Sequence, residues 1–266
     1  MRLPFAQIDA FAARPFTGNP AAVVPLGSWL PDATLQAIAA ENNLSETAFT
    51  VPAASADAEY ELRWFTPTTE VVLCGHATLA SGHYWLTERP TLDRVRFATR
   101  RAGPLAVARA GQGYELSLPS WPPAPQPLPQ VLAALGLDEA EETRWHELGY
   151  ALVVVADERI VRDLAPDFRA LSAIGDILTI VTAPGRHTDV ISRVFAAGAG
   201  IDEDPVTGSA HGVMAAYWAE RLGRNMFTAH QASARGGTLG CRLDGDGVVL
   251  TGECVTVIEG ALILPD

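Results

Sequence analysis

Three residues of this chain combine acid–base chemistry with a local setting that would focus it: Glu46, His76 and Asp204. Glu46 is a lone acid in the weakly polar stretch Asn43-Leu44-Ser45-Glu46-Thr47-Ala48-Phe49. His76 lies in Leu73-Cys74-Gly75-His76-Ala77-Thr78-Leu79-Ala80, and Asp204 opens Asp204-Pro205-Val206-Thr207-Gly208-Ser209-Ala210-His211-Gly212. Both glycine turns run into apolar helical patterns. The free amides of a helix start carry positive partial charge and bind anions. Glycine lets the backbone approach such a ligand closely. Gly75 with His76, and Gly208 with Ser209, each offer two such amides. A carboxylate held from both sides near Glu46 suits proton movement on the adjoining carbon, with no cofactor.

Each of these residues also has a structural reading. A glycine can simply fit a tight turn before a packed helix. Glu46 reads as a solvated loop acid or a helix cap. In an apolar cleft, by contrast, its pKa would rise and it could take and return a proton. His76 is a satisfied structural histidine, or a hydrogen-bond donor and proton shuttle beside the anion site. Asp204 precedes proline and is a turn residue or a second acid. Ser209 is a helix cap or a substrate ligand. His211, one turn further in, reads as structural.

Composition removes several rival chemistries. All 19 basic residues of this 266-residue chain are arginine. Without lysine there is no Schiff base, so pyridoxal-phosphate enzymes and class I aldolases are out. The phosphate loop ending in Gly-Lys-Ser/Thr is excluded too. A formal charge of −12 argues against nucleic acid as a partner, and reads as an aid to solubility. No apolar run reaches the ~18 residues of a membrane span, and Asp9 comes too early for a signal-peptide core. A soluble cytoplasmic protein is expected. Cys74, Cys241 and Cys254 lack metal-type spacing. Cys241 and Cys254 fall in strand-like segments and read as core, and Cys74-Gly75-His76 alone is too little for a metal site. Gly208-Ser209-Ala210-His211-Gly212 is not a Gly-x-Ser-x-Gly nucleophile elbow. Gly198-Ala199-Gly200 lacks the third glycine of a dinucleotide fingerprint.

The elements that must position these residues repeat. Leu118 to Pro129 is rich in proline, which breaks helices and cannot donate to a ladder. An N-terminal domain over 1–118, a linker over 119–130 and a C-terminal domain over 131–254 are expected, with a final strand from Val255 read as a candidate to return to the first domain. In the first half, strands are expected at Phe5–Phe11, Ala21–Pro25, Thr47–Val51 and Tyr60–Phe65, with helices from Asp32 to about Glu41 and from about His76 to Leu86. In the second, Gln130–Leu135 and Asp167–Ile174 read as helices, and Gly208 opens a helix to Leu222. The helices after the two glycine turns are apolar nearly all round and should be buried. An α+β fold is inferred, with a twisted sheet curled around a central helix, occurring twice.

At these residues the chain resembles the PhzF family of phenazine-biosynthesis proteins, within the diaminopimelate epimerase-like fold. Phe16-Thr17-Gly18-Asn19-Pro20-Ala21-Ala22-Val23-Val24, Asn43 to Phe49, Phe65-Thr66-Pro67, Cys74 to Thr78 and Asp204 to Gly212 occur in the family's order. The resemblance spans nearly the whole chain. It implies two similar α/β domains with the site in the cleft between them, a homodimer and no cofactor. It implies an isomerase in which Glu46 abstracts a proton and returns it elsewhere on a small carboxylate-bearing substrate. His76 and Asp204 are the other implied catalytic residues. Asn19, Gly75, Gly208 and Ser209 are the implied substrate ligands, and no metal is expected.

Diaminopimelate epimerase works with two opposed cysteines. Cys74 matches the first position, and the second is read as occupied by Gly208. That argues against a two-cysteine racemase. Two rivals stay open: an amino-acid epimerase using Cys74 with Asp204, and a non-catalytic small-acid binding protein.

Overall fold

Parallel strand neighbours cannot be joined by a tight hairpin and need a crossover. In a computed structural model of the chain, which describes residues 1–264, five of the six helices serve that purpose. The helices are α1 (Asp32–Asn42), α2 (Gly75–Glu88), α3 (Pro129–Leu135), α4 (Glu158–Asp163), α5 (Phe168–Ile174) and α6 (Gly208–Leu222). The chain forms two compact units, residues 1–117 with 251 onward, and residues 118–250.

In the first unit the strands run in the spatial order Cys254–Ile263, Arg2–Ala10, Asn19–Pro25, Glu46–Pro52, Tyr60–Phe65, Arg94–Thr99 and Leu105–Ala110. Successive pairs are antiparallel, antiparallel, parallel, antiparallel, parallel and antiparallel. The second unit runs Ala124–Pro125, Glu142–His146, Tyr150–Val154, Leu178–Pro184, Val190–Ala196, Met226–Gln231 and Gly237–Asp244. Its pairs have the same senses in the same order. The crossovers correspond as well. α1 answers to α4 with α5, and α2 answers to α6. The duplication is one of topology.

α2 and α6 are the helices that read as apolar all round. Both are buried over their first half. α2 comes so close to strand Leu105–Ala110 that a Cβ on Gly82 would lie 2.3 Å from Val107, so only glycine fits there. The other helices cover the sheets' remaining faces with apolar stripes. Leu35 and Ile38 of α1 pack on Val24, Phe49 and Phe65. Val131 and Leu135 of α3, Val161 of α4 and Leu171 of α5 pack with Val153, Val181, Ile191 and Phe195.

The proline-rich segment read as a linker is packed chain of the second unit. Ala124–Pro125 pairs with Glu142–His146, the edge position at which proline is tolerated, and Leu128 joins the core. α4 has no counterpart in the sequence reading. Its signal is Asp157, which caps the amides of Arg159 and Ile160. Among the described residues no helix is long and apolar enough to cross a membrane.

Candidate active site

Strand order brings Asn19, Glu46 and His76 together in the first unit. Asn19 and Glu46 start two neighbouring parallel strands, with Ala21 opposite Glu46. The turn before Asn19 depends on Gly18, whose φ is +66° and where a Cβ would lie 2.2 Å from the Ala10 carbonyl oxygen. His76 is the second residue of α2, and its ring has neighbours at both nitrogens. Nδ1 lies 3.1 Å from Asn19 Nδ2 and 3.5 Å from Cys74 Sγ. Nε2 lies 3.1 Å from Glu46 Oε2. In the neutral ring Nδ1 accepts from the Asn19 amide, which leaves the proton on Nε2, facing the carboxylate. The Nε2–Oε2 approach is not aligned as a hydrogen bond, and neither atom has another hydrogen-bond partner in the protein.

The site is nearly dry: the His76 side chain is 4% exposed and that of Glu46 is 14% exposed. Burial alone would depress the His76 pKa. The Cys74 sulfur and then the Glu46 carboxylate beside the ring outweigh it and hold His76 well above its ordinary value. Burial, and then the Glu46 charge, push the Cys74 thiol up to about 11. The unit therefore holds a histidine that favours its proton, a carboxylate beside it, and a protonated thiol. Burial also raises Cys241 to about 12, as befits the core residue expected there.

In the second unit Asp204 is 8% exposed, and its Oδ2 accepts a hydrogen bond of 2.5 Å from the Thr207 hydroxyl. Gln231, fully buried, clamps the turn. Its Oε1 accepts from the Thr207 amide at 2.9 Å, and its Nε2 donates to the Asp204 carbonyl at 2.7 Å and to Thr207 Oγ1 at 3.2 Å. Burial pushes the Tyr150 pKa up, partly offset by the Ser209 side chain beside it. His211 Nδ1 donates to the Thr207 carbonyl at 2.8 Å. Burial holds its ring neutral, with a pKa lowered to about 4.

The helix starts correct one sequence reading. Cys74 is the extended residue before Gly75 of α2, and Thr207 is the extended residue before Gly208 of α6. The counterpart of Cys74 is therefore Thr207 and not Gly208, because both glycines are already the first helical residues. The units also differ at the strand that Glu46 opens. Its counterpart Leu178 opens Leu178–Pro184, so the second unit has an apolar residue at that station.

Capping sets these two helices apart. α4 and α5 have their first amides satisfied by Asp157 and Asp167. α1 and α3 have no side-chain cap, but Asp32 and Gln130 in their first turns are open to water. α2 and α6 also lack a side-chain cap, yet Gly75, His76, Ala77, Gly208 and Ala210 are all buried. A buried, uncapped helix start needs a partner for its amides, and an anion is the partner that the helix dipole favours.

The family described as phenazine biosynthesis-like protein, PhzC-PhzF, matches residues 8–260. This chain belongs to that family. It is 47% identical over 266 residues to the protein named Uncharacterized isomerase PA2770 of Pseudomonas aeruginosa, covering 99% of this chain and 100% of that one. The crystal structure of a PhzF family protein from Enterococcus faecalis aligns with a TM-score of 0.90 at 42% identity, covering 99% and 100% of the two chains. The fold extends to a predicted epimerase, PA4716 of Pseudomonas aeruginosa, with a TM-score of 0.78 at 23% identity over 99% and 100% of the chains. The chain is an isomerase of the PhzC-PhzF family, with its α+β, epimerase-like fold.

Sequence reasoning missed Thr207, Gln231 and Tyr150. Gln231 had a readable signal. In strand Met226–Gln231 the buried positions are Phe227, Ala229 and Gln231, so a glutamine stands where the alternation calls for an apolar residue. Thr207 was visible only as part of the turn, and nothing in the sequence singled out Tyr150, which opens a strand in the structure.

Proposed function

We propose that this PhzC-PhzF isomerase moves a proton on a small carboxylate-bearing substrate, with Glu46 as the proton carrier and no cofactor. The observation that carries the reading is the Glu46 carboxylate beside His76 Nε2, at 3.1 Å, next to the buried and uncapped start of α2. A substrate carboxylate on the Gly75 and His76 amides would present its neighbouring carbon to Glu46. Glu46 takes the proton from that carbon. The electron pair left behind delocalises toward the carboxylate, where the amides and the His76 proton stabilise it. For a substrate with a C=C bond adjoining that carbon, the π pair shifts and Glu46 returns the proton to the far carbon of the former double bond, so the double bond moves and no further reactant is needed. Asn19 orients the His76 ring.

In the second unit, Asp204 and Ser209, with the Gly208 and Ser209 amides, are proposed to take part by hydrogen bonding or proton relay. The bond from Thr207 and the clamp by Gln231 support a fixed role for Asp204. A homodimer, which the family resemblance implies, is part of the proposal, and sedimentation velocity tests it.

The test of the assignment is Glu46→Gln. A substrate is first found by thermal shift against cyclic and linear amino and hydroxy acids. Turnover in deuterium oxide should then label the product in the wild type. Glu46→Gln should lose the exchange by about 10²–10⁴-fold with its melting temperature nearly unchanged. Full exchange in the variant would remove Glu46 from the mechanism.

A further inference from the structure

We infer that Glu46, Cys74 and His76 form a binding site for a divalent cation of the zinc class, occupied in competition with the proton transfer proposed above. The sequence offers only Cys74 and His76, two residues apart, and two ligands do not make a site. The fold adds the third. Glu46 arrives from the start of a different strand, and one donor atom from each of the three side chains lies within 4.8 Å of the others.

The donors suit one kind of ion. A thiolate, an imidazole and a carboxylate together favour Zn²⁺ or Co²⁺ over Mg²⁺ and Ca²⁺, which prefer all-oxygen shells. A tetrahedral zinc with bonds of about 2.0–2.3 Å sets its donors roughly 3.3–3.6 Å apart. Glu46 Oε2 and His76 Nε2 already stand at 3.1 Å. Cys74 Sγ is 3.5 Å from Nδ1, the other nitrogen of the same ring. One nitrogen serves the ion, and a rotation of the cysteine or the ring closes the remaining gap. A second observation points to a ligand: His76 Nε2 and Glu46 Oε2 are buried polar atoms that have only each other, at 3.1 Å and not aligned as a hydrogen bond, and the His76 side chain is 96% buried by its 4% exposure. Three protein donors leave a fourth position for water or a substrate oxygen. On binding, the ion displaces the thiol proton and any proton on the chosen nitrogen to solvent, and occupies the carboxylate oxygen that would carry the substrate proton.

Titration of the reduced protein with Co²⁺ tests the site without any turnover. The expected result is one Co²⁺ per chain, with the visible bands of a tetrahedral ion and a thiolate-to-cobalt charge-transfer band, displaced by Zn²⁺ and untouched by Mg²⁺. Cys74→Ser should abolish the charge-transfer band. Glu46→Gln and His76→Asn should each weaken binding more than about tenfold, with melting curves confirming that the variants fold. Cys241→Ser and Cys254→Ser should leave the spectrum as it is. Absence of the band in the wild type, or its survival in Cys74→Ser, overturns the site. Blocking rests on the Glu46 reading and is measured separately. Zn²⁺ should stop deuterium exchange and a chelator should restore it. Tight binding with undiminished exchange would refute the competition while leaving the site intact.

Discussion

Cys74 and Thr207 occupy one and the same station, the extended residue before the glycine that opens the buried crossover helix of each unit. The thiol sits 3.5 Å from the His76 ring, whereas the Thr207 hydroxyl is committed to Asp204 at 2.5 Å. A threonine hydroxyl does not ionise near neutral pH, so the pair cannot work as two opposed thiols. In the proposed mechanism the acid–base groups lie elsewhere, in Glu46 with His76 and in Asp204.

Replacing Cys74 by Ala separates the readings. With Glu46 as carrier, deuterium exchange should fall by less than about tenfold, the loss coming through the His76 environment. An epimerase that uses Cys74 as a base would lose about 10²–10⁴-fold.

Gln231 should matter to catalysis although it is fully buried in the second unit. Gln231→Leu leaves the Thr207 amide and the Asp204 carbonyl without their glutamine partners, and an unpaired buried group costs about 1–3 kcal/mol. Some stability is lost, and the Asp204 carboxylate loses its fixed orientation. A small misplacement of a catalytic group can cost up to about 10²-fold, so kcat should drop by about tenfold or more with a lesser change in KM. A variant that melts earlier but turns over normally would reduce Gln231 to a structural role.

Those two residues show where sequence reading stops. The buried helices after the glycine turns were readable because a helix without a polar face has nowhere else to go. The repeat was readable because each half places such a helix after a glycine turn. The Glu46–His76 pairing was not, since it needs both the parallel register of the strands that start at Asn19 and Glu46 and the packing of α2 against them. Gln231 meets Asp204 and Thr207 across 27 and 24 residues of sequence, a distance that no local pattern spans. The prolines of 119–130 announced extended backbone, yet composition does not distinguish a linker from an edge strand paired through its carbonyls. The Gly208 alignment failed by one residue because spacing alone does not say which residue is the first of a helix.

Acid should destabilise the protein well above the carboxylate range. His211 is 1% exposed and stays neutral until about pH 4, against an ordinary value of 6.5. Between those values the unfolded chain binds a proton that the native state refuses. The stability is thus full above pH 6.5 and falls as pH drops toward 4, by roughly 3 kcal/mol for this one group. His83, lowered to about 4 by burial and by Arg109, acts in the same direction. His76 has the opposite sign: its contribution is present below pH 6.5 and is lost as pH rises through its elevated native value. In His211→Asn the side-chain amide can still donate to the Thr207 carbonyl but does not titrate. Its melting temperature should fall less than the wild type's between pH 7 and pH 5. Equal falls would show that His211 does not set the acid limb.

Arg63 is the residue whose loss should cost the first unit most stability without touching the site. It is 2% exposed and donates from Nε and Nη2 to Glu70 and from Nη1 to Asp32, each at 2.8 Å. Its guanidinium also lies about 5 Å from the Trp29 and Phe65 ring centres, at 5.1 and 5.0 Å. Removing one partner from a fully buried pair costs roughly 3–5 kcal/mol. Asp32 is solvent-exposed here and Glu70 partly so, which screens part of the interaction. Arg63→Met keeps the apolar stem and should cost about 2–3 kcal/mol, read as a lower urea midpoint at unchanged slope. The same bonds hold the Glu70 and Asp32 carboxyls below their ordinary pKa values. Their share of stability is present above those ordinary values and lost as pH falls through the lowered ones, so the variant should also lose part of the wild type's acid sensitivity below pH 4.5. An unchanged midpoint would mean that packing on Trp29 and Phe65, which methionine preserves, carries the whole contribution.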